Sequence, residues 1–175
     1  MTTFVSMIVT GAERALGLGE LLLKDIPDDR FARFAPGADG PIEANHPAFI
    51  YGHLAIYPTR ILAAAGMDGS AIAPPERFLE VFEAGRTCVD DPDGSVYPER
   101  GAIVDLFVRA HRTAIDAVAG LTDDQLKAKH TIEGRMAEAF PTVGHVASFL
   151  LVGHTMMHLG QMSTWRRAIG LGSAM

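Results

Sequence analysis

Two imidazoles one turn apart mark the chemistry this chain could do. His154 and His158, in His154-Thr155-Met156-Met157-His158-Leu159-Gly160-Gln161, stand on what reads as a long apolar helix. Residues four apart on a helix differ by about 40° in direction and about 6 Å in rise, so both rings can turn toward one point and chelate one divalent ion. His53, in Phe49-Ile50-Tyr51-Gly52-His53-Leu54-Ala55-Ile56-Tyr57, is surrounded by residues that belong in a core. Burying its nitrogens unpaired costs about 1–3 kcal/mol, so they must meet a hydrogen bond, a water or a metal. If the helices that carry them are neighbours, His53 faces the His154 and His158 pair. Three neutral imidazoles on one side of an ion leave positions open for water or substrate, as catalytic rather than structural sites do. An ion so held is a Lewis acid that lowers the pKa of a bound water or thiol toward neutrality.

A simpler reading stands beside this one, because a histidine in an apolar helix is more often a satisfied core residue than a ligand. The glutamate of the zincin pattern is also missing from the pair. Gln161 shares a face with His154 and His158 and could hydrogen-bond a ligand ring, or be an ordinary interior contact. His46 lies about two turns before His53, too far for the same ion, and suits a helix start. His145 falls on roughly the opposite face from His154. His111 and His130 show no partner pattern, Tyr51, Tyr57, Arg60 and Trp165 receive no role, and Met156, Met157 and Met162 read as packing.

At 175 residues the chain fits one domain, 1–175, that can bury a core without disulfide or metal staples, so a metal would be functional. Hydrophobic residues make up 48% and charged residues 21%, ordinary values for a globular protein. A net charge of −6 with no basic run gives a nucleic-acid backbone little to hold. The single cysteine, Cys88, excludes an intramolecular disulfide and agrees with a reducing compartment, and residues 1–7 lack the character of a signal peptide. The apolar stretch from Val146 to Met157 is shorter than the roughly 20 residues of a bilayer helix. The expectation is a cytoplasmic protein with no membrane span.

The elements that must position these residues follow from apolar spacing. Helix one runs from Thr3 to about Lys24, and a turn-rich connection rich in Pro and Gly follows to Ala44. Asn45 reads as the N-cap of helix two, which runs on to Gly66 with a kink at Pro58. A second long connection, Gly66 to Pro98, holds a short helix around Pro75 to Phe82. Helix three ends at Gly120, Thr122 to Gln125 resembles a capping box, and the last helix spans about Val143 to Ile169. With no convincing strand, the fold class is all-α, an antiparallel four-helix bundle with long connections after helices one and two.

The segments Asn45 to Arg60, Tyr97-Pro98 and His154 to Gln161 together resemble the DinB/YfiT-like family, in order and over most of the chain. That resemblance implies a four-helix bundle with a divalent metal, usually nickel, zinc or iron, held by His53, His154 and His158. It also implies a thiol-dependent transferase or isomerase using a low-molecular-weight thiol, although many members have no known reaction. A homodimer is a further expectation from the family. Many relatives carry an acidic residue directly after the first histidine of the pair, where this chain has Thr155.

The resulting expectation is a protein whose ion activates a low-molecular-weight thiol or water against a small electrophilic substrate, with Gln161 supporting the site. A metal-dependent hydrolase without a thiol is the first rival. A stress-related binding protein without turnover is the second.

Overall fold

The computed structural model describes residues 3–174, and of residues 135 and 136 the backbone alone. Four helical rods make the bundle expected from the apolar spacing. The first is α1 (Thr3–Leu22), which buries Val5, Val9, Ala12, Leu16 and Gly19 along one stripe. The second is α2 (Pro47–Ala55) followed by α3 (Pro58–Ala64). After the covering helix α4 (Glu76–Phe82) comes the third, α5 (Arg100–Ala119), again with one buried stripe. Short helices α6 (Asp123–Lys127) and α7 (Arg135–Ala139) lead to the fourth: α8 (Val143–Ser148), a π-helical turn (Phe149–His154) and α9 (Thr155–Ala168).

The direction of each rod follows from its contacts. Gly11 meets Val152 and Gly19 meets Leu159, so α1 and the last rod run parallel. The Arg100 guanidinium at the start of α5 donates to the carbonyls of Ile26 and Leu23 at the end of α1, so those two oppose. Tyr51 packs edge-on against Phe107, while further along Ala63 and Leu121 line the same cavity, so α2–α3 runs parallel to α5. The second and fourth rods oppose, with Asn45 meeting Gln161 and Tyr57 meeting His154. A parallel step between adjacent rods cannot be made by a short turn, which is why the connection from Gly66 to Pro98 is long.

Several local expectations change. The kink at Pro58 is a full break, because proline has no N–H to continue the ladder and its ring crowds the preceding turn. The N-cap of α2 is His46, not Asn45: His46 Nδ1 accepts from the Phe49 amide at 3.3 Å and Nε2–H donates to the Val89 carbonyl at 2.9 Å. The connection after α1 contains an antiparallel hairpin, β1 (Ala35–Gly37) with β2 (Gly40–Ile42), where no strand was expected. Two Pro and two Gly in these six residues hide it from any alternation test. The Thr122 capping box is present, and Gly170, at φ +85°, ends α9.

All nine residues of α2 are buried, which explains why its sequence shows no polar face: α5, α9 and α4 enclose it. Arg166, 3% exposed, ties the bundle end by donating to the carbonyls of Leu22, the last residue of α1, and of Lys24 just past it, a favourable place for a cation. Among the described residues no helix is long and apolar enough to cross a membrane.

Candidate metal centre

The crossing of α2 with the π-helical turn and α9 brings His53, His154 and His158 together. Each offers a ring nitrogen, and these atoms lie within 4.8 Å of one another. The ring centroids stand 5.2 Å apart for His53 and His154, 4.8 Å for His53 and His158, and 4.7 Å for His154 and His158. The rings are tilted or edge-on to one another rather than stacked, as rings that converge on a point must be. Their residual exposures of 9%, 8% and 7% show all three rings buried, none of them sealed completely.

Hydrogen bonds select the tautomer of two rings. His53 Nδ1–H donates to the Phe82 carbonyl at 2.6 Å, which leaves Nε2 with its lone pair. His158 Nδ1–H donates to Gln161 Oε1 at 3.0 Å, with the same result. Gln161 Oε1 is itself held by Asn45 Nδ2 at 3.0 Å, so an Asn45–Gln161–His158 chain joins the start of α2 to α9. Such outer partners orient metal-binding imidazoles and raise their basicity. His154 has none among the described residues: its Nδ1 is buried without a hydrogen-bond partner, and no bond to them fixes its tautomer.

Electrostatics agree with this arrangement. Burial first, then the neighbouring His158, His53, His111 and Arg60, push His154 down to about 3. His53 is lowered by burial, partly offset by the Phe82 bond, and His158 is lowered by burial against the Gln161 bond. All three rings are therefore neutral at neutral pH, the form in which imidazole binds a metal. No carboxylate joins the group among the described residues. An all-imidazole donor set suits zinc, nickel and iron alike, and the residues fit a divalent ion.

Aromatic rings wall the site. Phe49 stacks parallel to His53 at 5.9 Å, Tyr57 stands edge-on to both His53 and His154, and Phe149 leans on His154. The Arg60 guanidinium lies over Tyr57 at 4.8 Å. Sequence reasoning gave Tyr57 and Arg60 no role. It also found no partner for His111, which donates Nδ1–H to the Phe107 carbonyl at 2.8 Å and places Nε2 3.4 Å from Thr155 Oγ1. Thr155 is fully buried, and its hydroxyl donates to the Leu150 carbonyl inside the π-helical turn at 2.9 Å. Met162 packs in the core as expected, whereas Met156 and Met157 are exposed by 43% and 55%. His145 is exposed, its amide donating to Oγ1 of Thr142, the N-cap of α8, and Tyr51 and Trp165 hydrogen-bond backbone carbonyls away from the site.

The fold and the site define a helical bundle with a buried three-histidine pocket that could hold one metal ion. A family model for the DinB superfamily matches residues 13–162, and the chain belongs to that superfamily. No curated protein and no solved structure matches it.

Proposed function

We propose that this protein is a metal-dependent enzyme in which His53, His154 and His158 hold a divalent ion, zinc, nickel or iron, that activates a low-molecular-weight thiol against a small electrophile. The observation that carries this reading is the donor set: three buried neutral imidazoles, two with Nδ1–H already committed, without a fourth protein ligand among the described residues. When bound, the ion supplies Lewis acidity that stabilises a thiolate at neutral pH.

The chain's own residues do the rest. Gln161 and the Phe82 carbonyl orient two of the rings, and Phe49, Tyr57 and Phe149 pack their rings against His53 and His154. Cys88 does not supply the nucleophile, since burial pushes its thiol up to about 11 and it lies by His46 and Tyr97 rather than in the triad. The thiol therefore comes from outside the chain. In the transfer its sulfur forms a bond to the electrophilic carbon, the leaving group departs with the electron pair, and the thiol proton goes to solvent.

The test is turnover of 1-chloro-2,4-dinitrobenzene and of a p-nitrophenyl ester by zinc-loaded and nickel-loaded protein, with and without added thiol. The expected result is conjugation that needs both metal and thiol. Ester cleavage that ignores the thiol would make the protein a hydrolase, and intact metal with no turnover would make it a binding protein.

A further inference from the structure

Charge around the triad is unbalanced. Three neutral imidazoles contribute no negative charge to offset the two positive charges of a divalent ion, and no carboxylate joins them among the described residues. The permanent charge that bears on both His53 and His154 is the Arg60 guanidinium. Arg60 rises from the second turn beyond His53, where the break at Pro58 starts α3 and brings the guanidinium over the Tyr57 ring. The same Tyr57 ring touches His53 at 4.8 Å and His154 at 5.0 Å, so one aromatic plate separates the cation from the triad.

Besides the Tyr57 ring, the guanidinium has one ion pair among the described residues, to Glu83 at 3.8 Å, with the two side chains 40% and 48% exposed, a long and solvated contact of little worth. Glu83 directly follows Phe82, whose carbonyl holds His53, so the Arg60–Glu83 pair sits one residue from a group that orients the triad. Arginine is also the side chain best shaped to grip a carboxylate through two parallel N–H bonds.

We infer that Arg60 is a substrate-binding residue: the site takes a small acid whose carboxylate is gripped by the Arg60 guanidinium while its other end faces the three histidines, with Glu83 holding the guanidinium until the acid arrives. The inference rests on the metal-dependent reading above and adds the class of ligand.

The experiment is calorimetric titration of zinc-loaded protein with acetate, with malonate, succinate and glutarate, and separately with 2-mercaptoethanol, zinc content being checked afterwards. At least one dicarboxylate is expected to bind about tenfold or more tighter than acetate, the scale of a charge-assisted pair of hydrogen bonds. In Arg60→Gln that preference disappears, while in Glu83→Gln the dicarboxylate binds tighter than to wild type because the competing carboxylate is gone. Both side chains are half-exposed, so neither change threatens the fold. An unchanged preference in Arg60→Gln, or no dicarboxylate binding to wild type, overturns the inference. Arg60-dependent dicarboxylate binding without any binding of 2-mercaptoethanol leaves it standing and defeats the thiol reading; failure to take up zinc overturns both.

Discussion

His53 and Phe82 are joined by a bond from the imidazole Nδ1–H to the backbone carbonyl at 2.6 Å, across 29 residues of sequence. This contact decides which nitrogen of His53 is left for an ion, and a glycine makes it reachable. A Cβ on Gly52 would stand 2.2 Å from the Phe82 ring, closer than any real contact. The missing side chain lets α4 press against α2 and bring the carbonyl to the ring.

Gly52→Ala therefore separates two opposing effects. Alanine in a helix interior gains about 1 kcal/mol over glycine, while overpacking costs about 1–3 kcal/mol. The expected outcome is a net loss of stability in urea denaturation and a metal affinity about tenfold lower as Phe82 retreats from His53. A more stable variant with unchanged affinity would show that the close approach is not needed.

Gln161→Leu keeps the volume of the side chain and removes the oxygen shared by His158 and Asn45. Loss of an outer hydrogen bond to a metal-binding imidazole typically lowers affinity by 10–100-fold. That drop is expected in competition with a chromophoric chelator, with a smaller one for Asn45→Ala, which leaves the His158 bond in place. Because Gln161 is exposed, the thermal midpoint of the metal-free protein should barely move.

Much of this site was legible in the sequence, because the spacing of His154 and His158 and the apolar surroundings of His53 are local signals. Neighbours supplied by distant segments were not. Phe82 acts through a backbone carbonyl that any residue would provide, and nothing in its type announces it. Asn45 looked like a cap, and only the crossing of α2 with α9 shows that it holds Gln161 instead. The bundle was legible from its stripes, but the parallel pairing of its rods was not, since stripe periodicity carries no direction. Gly52, placed directly before a histidine in an apolar helix, was a signal that could have been read as close packing.

Thr155 locks the turn that carries His154. Its hydroxyl donates to the Leu150 carbonyl at 2.9 Å, and the buried His111 stands beside it. Thr155→Val keeps the shape and deletes the hydroxyl, leaving buried polar groups without their partner. A loss of about 1–3 kcal/mol in stability is expected. Faster amide exchange confined to residues 149–155 would assign the loss to the π-helical turn, and uniform exchange would not.

Acid sensitivity follows from the depressed histidines. His154 is lowered from 6.5 to about 3 and His111 from 6.5 to about 4, with His53 and His158 also below their ordinary value. Below pH 6.5 the unfolded chain takes up protons on these rings and the folded chain does not. Stability is thus fully present above pH 6.5 and is lost as pH falls toward 4 and then 3. Urea denaturation of metal-free protein from pH 8 to pH 4 should be flat and then decline, with a shallower decline in His154→Gln. Rising stability on acidification would contradict the burial of neutral rings.

The most direct measurement is elemental analysis of protein purified without a histidine tag or chelator, beside the His154→Ala/His158→Ala double variant and His53→Ala. The account predicts about one equivalent of zinc, nickel or iron per chain in the wild type, lost in both variants while their helical circular dichroism is kept. Full metal content in His53→Ala, or a wild type that is empty and takes up no metal on titration, would contradict it.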